Sequence, residues 1–309
     1  MKSTKKILFI RRFRKISGGQ IKVRDYFRHC LNHPKLEPFI HFTPDSRLNL
    51  LDGFWEEAKA CMVEHVDLQQ YDLLFLAGRD WEHLPDPRPT MPVVNLIQHV
   101  KHASREDKRY RFLSKPAYRI CVSEAIKNQI KMLAAGPVET IPNGIDLTLF
   151  SGSQNGRQQH KLLILGKKNP ELGKALYQAL QQRGIQATLI IKFVPQEQFV
   201  DLLKQHAIFV GLPNRTEGFY LPALEAMACG CAVIVSDAVG NRDFCIPNET
   251  ALMPVYNHFE ETLHAILVLL NDFTLRKKLQ YNGMKMAANY GLDRERERFY
   301  AFLDRFGLV

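Results

Sequence analysis

No apolar run in this chain approaches the roughly 18 residues that a membrane-spanning helix needs. Nor does it open with the apolar stretch of about 7–15 residues that a secretory signal carries. Ile7-Leu-Phe-Ile10 is followed at once by Arg11 and Arg12. A cytoplasmic protein is therefore expected, and the sequons at Asn214 and Asn248 are discounted. The cysteines, at 30, 61, 121, 229, 231 and 245, are scattered. Cys229-Gly-Cys231 has no second close pair, so no metal site is expected and small buried thiols are the simpler reading. No G-x-G-x-x-G follows the apolar runs ending at Ile10 and Leu165, which argues against an NAD-dependent oxidoreductase. Acid is scarce at the start: residues 1–30 hold ten Lys/Arg against the single Asp25.

What is present is a globular composition. The chain has 309 residues, 46% hydrophobic and 24% charged, enough for one large core or two ordinary ones. The net charge is +10. Besides the run in 1–30, a second basic cluster comprises Lys101, Arg105, Lys108, Arg109, Arg111 and Lys115. A solvated surface explains one such run. Two in the same half point to an anionic partner: an anionic membrane surface, or a lipid-pyrophosphate or phosphorylated acceptor. Nucleic acid is not expected, because no binding motif accompanies the charge.

The most informative stretch is Glu217-Gly-Phe-Tyr-Leu-Pro-Ala-Leu-Glu-Ala-Met-Ala-Cys-Gly230. The apolar run 208–212 before it reads as a buried strand, and Pro213-Asn214 breaks it. Pro222 suits a first helical turn, Gly230 the residue just past a helix end. A second apolar run, 232–236, follows. Strand, helix and strand make a parallel βαβ unit, whose ligands bind beyond the carboxyl ends of the strands. Glu217 would sit on that edge and Glu225 inside the helix. Backbone N–H groups of Phe219, Tyr220 and Leu221 would face an anion at the helix start. Two carboxylates for hydroxyl groups beside a phosphate cradle suit a nucleotide-sugar. The bland alternative is an ordinary strand–loop–helix with solvated Glu.

Elsewhere, strands are expected at 7–10, 38–42, 72–76, 93–98, 119–122, 138–141, 162–166 and 188–192. Helices are expected at 20–31, 55–62, 105–113, 124–134, 195–206, 258–270, 274–290 and 293–306, with one opened by Pro170 and ending near 183–184. The alternation predicts α/β, doubly wound domains with mainly parallel sheets. Gly18-Gly19 reads as a strand–loop–helix turn that lets backbone approach a phosphate. His99 ends the 93–98 strand on the carboxyl edge. Lys167 and Lys168 follow the strand at 162–166, where a cation can neutralise a diphosphate. Ser151-Gly-Ser-Gln-Asn-Gly is polar and glycine-rich and divides the chain into domains 1–150 and 151–309.

The segment 217–230 resembles the donor-site motif of glycosyltransferase family 4, a family of retaining GT-B enzymes. The family pattern, two Glu separated by seven residues within E-G-F-x-L-P-x-x-E-A-M-A-x-G, is met at Glu217, Gly218, Phe219, Leu221, Pro222, Glu225, Ala226, Met227, Ala228 and Gly230. Ile141-Pro-Asn-Gly-Ile-Asp146 is similar to the segment that leads into the interdomain linker of that family. The resemblance implies a GT-B fold, two Rossmann-like domains facing a central cleft, with the last helix crossing back to the N-terminal domain. It implies a metal-independent, retaining transferase with no cofactor beyond its donor, a nucleoside-diphosphate sugar (UDP- or GDP-linked). The basic first domain points to a membrane-associated acceptor, a glycan or a lipid-linked glycan of cell-envelope polysaccharide or lipopolysaccharide synthesis, with peripheral contact at the inner membrane face. By the same resemblance Glu225 binds ribose and Glu217 orients the sugar. Gly18 and Gly19 meet the donor when the domains close, and His99 contacts the transferred sugar. Retention would proceed by attack from the leaving-group face, without a carboxylate nucleophile.

Four positions depart from the family pattern. Lys167 stands where Arg is usual, Leu172 where Lys is usual, and Val239 and Asp243 alter a Gly-Gly-x-x-Glu segment. The diphosphate could therefore be met by Lys167 or Lys168, and a non-catalytic sugar-nucleotide-binding subunit is the alternative. The segment 166–192 is short, so a βα element is missing or compressed.

Overall fold

The computed structural model describes residues 4–47, 53–84, 90–151 and 158–309. The chain divides into two compact units, Met1–Asn143 together with Asp293–Val309, and Gly144–Leu292. The boundary lies before the polar stretch at 151, because Ile145 pairs in parallel with Gly291 and so joins the second unit. Gly144 is required there: an added Cβ would lie 2.6 Å from the Gly291 carbonyl oxygen.

The first unit is a six-stranded parallel sheet in the order β2-β1-β3-β4-β5-β6. Its strands are β1 (Lys5–Arg11), β2 (Leu36–Phe42), β3 (Leu73–Ala77), β4 (Val93–Ile97), β5 (Tyr118–Cys121) and β6 (Val138–Thr140). Runs such as Leu73-Leu-Phe-Leu-Ala77 are buried along their whole length, as a parallel sheet covered on both faces demands. Two helices, α1 (Gly18–Leu31) and α2 (Glu124–Ile130), start behind serine caps, Ser17 and Ser123. Phe9 stacks on Phe75 at 4.5 Å, and Tyr26 meets Phe75 and Phe299.

The second unit has a five-stranded parallel sheet in the order β11-β10-β9-β7-β8. Its strands are β7 (Gln158–Leu165), β8 (Ala187–Ile190), β9 (His206–Gly211), β10 (Ala232–Val235) and β11 (Ala251–Leu252). Between and after them run α3 (Pro170–Gln181), α4 (Gln196–Gln205), α5 (Leu221–Ala228), α6 (Phe259–Asn271) and α7 (Phe273–Ala287). One helix, α3, joins β7 to β8, so the short segment 166–192 holds a single βα step. The last helix, α8 (Leu292–Arg305), packs within the first unit, where Glu295 binds Lys22 of α1 at 2.7 Å and Phe299 meets Tyr26.

Several expectations are corrected. Residues 55–62 and 105–113 are not α-helices. They hold short 3-10 turns at Glu56–Cys61 and Tyr110–Phe112. In the second, the chain is held by Arg119, whose buried guanidinium donates to the carbonyls of Phe112, Leu113 and Lys115. Gly18 and Gly19 are the first residues of α1 rather than a loop before it. Five cations of the run in 1–30 are paired with acids: Arg11 with Asp80, Arg12 and Arg14 with Asp45, Lys22 with Asp25 and Glu295, and Arg28 with Glu57. In the second cluster Arg109 pairs with Asp107 and Arg111 with Glu82. Lys101, Arg105 and Lys108 stay exposed, and among the described residues no acid pairs with them. Among the described residues no helix is long and apolar enough to cross a membrane.

Candidate functional site

In the second unit the chain passes from β7 to β8 on one side of the sheet and to β9 on the other. The order therefore reverses between β7 and β9, whose last residues, Leu165 and Gly211, lie opposite each other. Open parallel sheets bind ligands outside the strand ends at such a point. The loops leaving these two strands meet there. Lys168, three residues past β7, places Nζ 3.1 Å from Oε1 of Glu217, which follows β9. Asn214 donates to the same oxygen at 3.2 Å, so Glu217 is oriented from two sides. The Glu217 side chain is 15% exposed and that of Lys168 is 47% exposed, so the pair is open to a ligand. Lys167 points elsewhere, its ammonium 4.9 Å from the centre of the exposed Phe193 ring. The structure thus separates two lysines that the sequence leaves equivalent.

The helix α5 begins one step on. Tyr220 occupies its N-cap without a side-chain hydrogen bond, and Pro222 lies in its first turn. Among the described residues nothing accepts from the N–H groups of Phe219, Tyr220 or Leu221. These are the donors that a helix start offers to an anion. Glu225 is half-buried in the helix body. Burial raises the pKa of the Tyr220 phenol, and the charges of Glu217 and then Glu225 raise it further. The hydroxyl itself is buried, and among the described residues it has no hydrogen-bond partner. Gly211 makes room for the ring, since a Cβ there would lie 2.8 Å from Tyr220 Cε1. Phe219 does not face the ligand side. It packs on Phe244 and Tyr290 at 5.0 and 6.0 Å and anchors the loop.

A third loop, leaving β10, braces the motif. The N–H of Gly240 donates to the Glu217 carbonyl at 2.9 Å, and that of Val239 to the Arg215 carbonyl at 3.2 Å. Neither Asn214 nor the full use of Gly240 was foreseen from sequence. Asn214 is within reach only because of a tight turn, in which the Glu217 N–H donates to the Asn214 carbonyl.

In the first unit the order reverses between β1 and β3. Beyond these ends lie Gly18 and Gly19, at the start of α1. A buried pair fixes the turn beneath them. Arg11 binds Asp80 at 2.7 Å and Gln20 at 2.9 Å, and Gln20 in turn donates to the Arg12 carbonyl. Gln98 donates to the Gly19 carbonyl at 3.2 Å, and its side-chain oxygen would be 3.4 Å from a Cβ at Gly19. His99 follows β4, and its Nδ1 accepts from the Lys101 N–H at 3.1 Å. The neighbouring His102 is buried, and burial, followed by Arg109, pushes its pKa down to about 3.

Residues 146–286 match the family model of glycosyl transferases group 1. The second unit is a group 1 glycosyl transferase domain. The D-inositol 3-phosphate glycosyltransferase of Jonesia denitrificans is 25% identical over 254 residues, 81% of this chain and 58% of that protein. The N,N'-diacetylbacillosaminyl-diphospho-undecaprenol alpha-1,3-N-acetylgalactosaminyltransferase of Campylobacter jejuni is 33% identical over 110 residues, 36% of this chain and 29% of that protein. This chain thus covers less than two thirds of the length of either relative. Anabaena HepE, solved in complex with UDP, superposes with a TM-score of 0.76 at 14% identity, covering 97% of this chain and 100% of that one. That likeness shows the fold: two Rossmann-like domains of the GT-B kind. The site of the group 1 domain described above, from Lys168 to Glu225, lies wholly inside the matched residues.

Proposed function

We propose that the protein is a retaining glycosyltransferase that moves a sugar from a nucleoside-diphosphate sugar to a glycan or lipid-linked acceptor of cell-envelope polysaccharide or lipopolysaccharide synthesis. The observation that carries this reading is the meeting of Lys168 and Glu217 at the switch point, beside the unbonded N–H groups at the start of α5. Glu225 accepts from ribose hydroxyls, and Glu217, oriented by Asn214, accepts from a hydroxyl of the donor sugar. The leaving diphosphate takes hydrogen bonds from the N–H groups of Phe219 to Leu221 and the charge of Lys168. Preorganised donors aimed at developing charge stabilise the transition state without a metal ion. Lys167, over Phe193, borders the same edge and is proposed to line the base side.

In the first unit, His99 is the proposed sugar contact, and Gly18 and Gly19 the proposed phosphate contacts. Lys101, Arg105 and Lys108 offer unpaired positive charge next to His99 for a phosphorylated acceptor or the anionic inner face of a membrane. UDP or GDP is the proposed leaving group. The relatives' printed names support the acceptor class: one acts on a diphospho-undecaprenol glycan.

The test is turnover. Purified protein is incubated with UDP- and GDP-sugars and lipid-linked or free glycan acceptors, and released nucleoside diphosphate is measured. One donor–acceptor pair is expected to turn over with retained anomeric configuration. Glu217→Ala is expected to lose roughly 10²–10³-fold, the scale of losing one preorganised transition-state contact. Nucleotide binding without turnover across the panel would instead mark a non-catalytic binding subunit.

A further inference from the structure

The second unit carries a cavity of about 810 Å³ one strand away from the donor site. It lies beyond the ends of β10 and β11, and its size falls within the range of about 300–1,000 Å³ common to small-molecule sites. Its polar wall holds Arg215, Asp237 and Arg242. Arg242 is matched by Asp237 through two hydrogen bonds of 2.9 and 2.7 Å. Arg215 is exposed, and among the described residues no acid forms an ion pair with it. The wall therefore carries one positive charge in excess. The lining also includes the apolar side chains of Ile246, Met253 and Val255. Ile246 is 44% and Val255 55% exposed, so both are open to a ligand.

An exposed guanidinium in charge excess beside exposed apolar side chains suits a ligand with an anionic head and a hydrocarbon body. We propose that this cavity binds an isoprenoid phosphate: the phosphate on Arg215, with Arg242 beside it, and the first isoprene units along Ile246, Met253 and Val255. Its assignment to the lipid end of an acceptor rests on the transferase reading. The cavity's own chemistry does not. The cavity also touches the donor loop directly. Arg215 and Glu217 lie on one turn, and both of their carbonyls are held by the loop leaving β10, through Val239 and Gly240. A ligand on Arg215 would therefore fix the backbone from which Glu217 projects.

The probe is geranyl phosphate, titrated calorimetrically into the full chain, with geraniol as the uncharged control and UDP and GDP titrated in parallel. Saturable binding of geranyl phosphate is expected, with no binding of geraniol. Arg215→Gln and Ile246→Asp are each expected to weaken it tenfold or more, one removing the charge and the other the apolar wall, while nucleotide binding stays as in the wild type. The proposal is overturned if geranyl phosphate does not saturate, if both variants bind it as the wild type does, or if geraniol binds equally well. Loss of all nucleotide binding in the wild type, with geranyl phosphate still bound through Arg215, would sink the donor reading and leave the cavity standing.

Discussion

A Cβ added at Gly240 would lie 2.1 Å from the Gly218 carbonyl carbon and 2.5 Å from the Phe219 nitrogen. All of these neighbours are backbone, so no side chain can rotate away to relieve the clash. The loop carrying Glu217 would have to move instead. Gly240→Ala is expected to destabilise by about 1–3 kcal/mol, the usual cost of overpacking. It should also weaken nucleotide binding, because the displaced backbone supplies the phosphate donors. Urea unfolding and a nucleotide titration on the same variant check both parts. An unchanged midpoint and affinity would mean that the two loops are not as closely joined as described. The case shows what sequence reading reaches at this scale. Glu217 and Glu225 were legible because strand, breaker, helix start and helix end lie within one short run. The part played by Gly240 is not legible in the sequence, since the backbone that it abuts arrives from another strand. The choice between Lys167 and Lys168 was closed for the same reason: adjacent residues differ only in what the fold brings to them, Phe193 for one and Glu217 for the other.

At the scale of elements, the contact between α1 and α8 is ionic at its centre. Lys22 is buried, with Asp25 at 2.8 Å and Glu295 at 2.7 Å, and His29 reaches the same Glu295 oxygen at 3.1 Å. Removing one partner of a buried pair leaves a charge uncompensated, at a cost of about 3–5 kcal/mol. Glu295→Ala is expected to destabilise the first unit on that scale in chemical denaturation, and a loss below about 1 kcal/mol, the size of an exposed pair, would contradict the assignment. The pH dependence has a definite sign. Burial pushes the Glu295 carboxyl up, but Lys22 and His29 together hold it below its ordinary 4.5. The stability it confers is therefore present above pH 4.5 and lost as pH falls through the lowered value. Burial pushes the Lys22 ammonium down, and Asp25 and Glu295 outweigh it to hold its pKa above 10.5, so its share is present below that pH and lost on further rise. In Glu295→Gln the fall in stability below pH 4.5 should be shallower than in the wild type. The strands were readable because a parallel sheet demands continuous apolar runs. The misread helices at 55–62 and 105–113 have passable composition but end as 3-10 turns. In the second, Arg119 takes up carbonyls that a longer helix would have used internally. No local pattern announces such a distant claim. The pairing of Arg11, Arg12, Arg14, Lys22 and Arg28 is hidden likewise, since apart from Asp25 their acids come from 45, 57, 80 and 295.

At the scale of the whole molecule, the first unit is built from both ends of the chain and the second is continuous. Each is a parallel sheet with one reversal of strand order, and each gathers its candidate residues at that reversal. The parallel explains why one chain carries a glycine-led helix start, Gly18-Gly19, in the first unit, and a second unbonded helix start at Phe219–Leu221 in the other. The central claim is that the second unit holds a nucleoside diphosphate on this edge. The most direct measurement is the thermal shift produced by UDP, GDP, ADP and CMP on the wild type and on Glu225→Ala. One nucleotide is expected to raise the midpoint selectively, by a stabilisation of about 2.7 kcal/mol at one hundred times its dissociation constant. That shift should vanish in Glu225→Ala. No shift from any of the four at millimolar concentration, or an equal shift in the variant, would contradict the account.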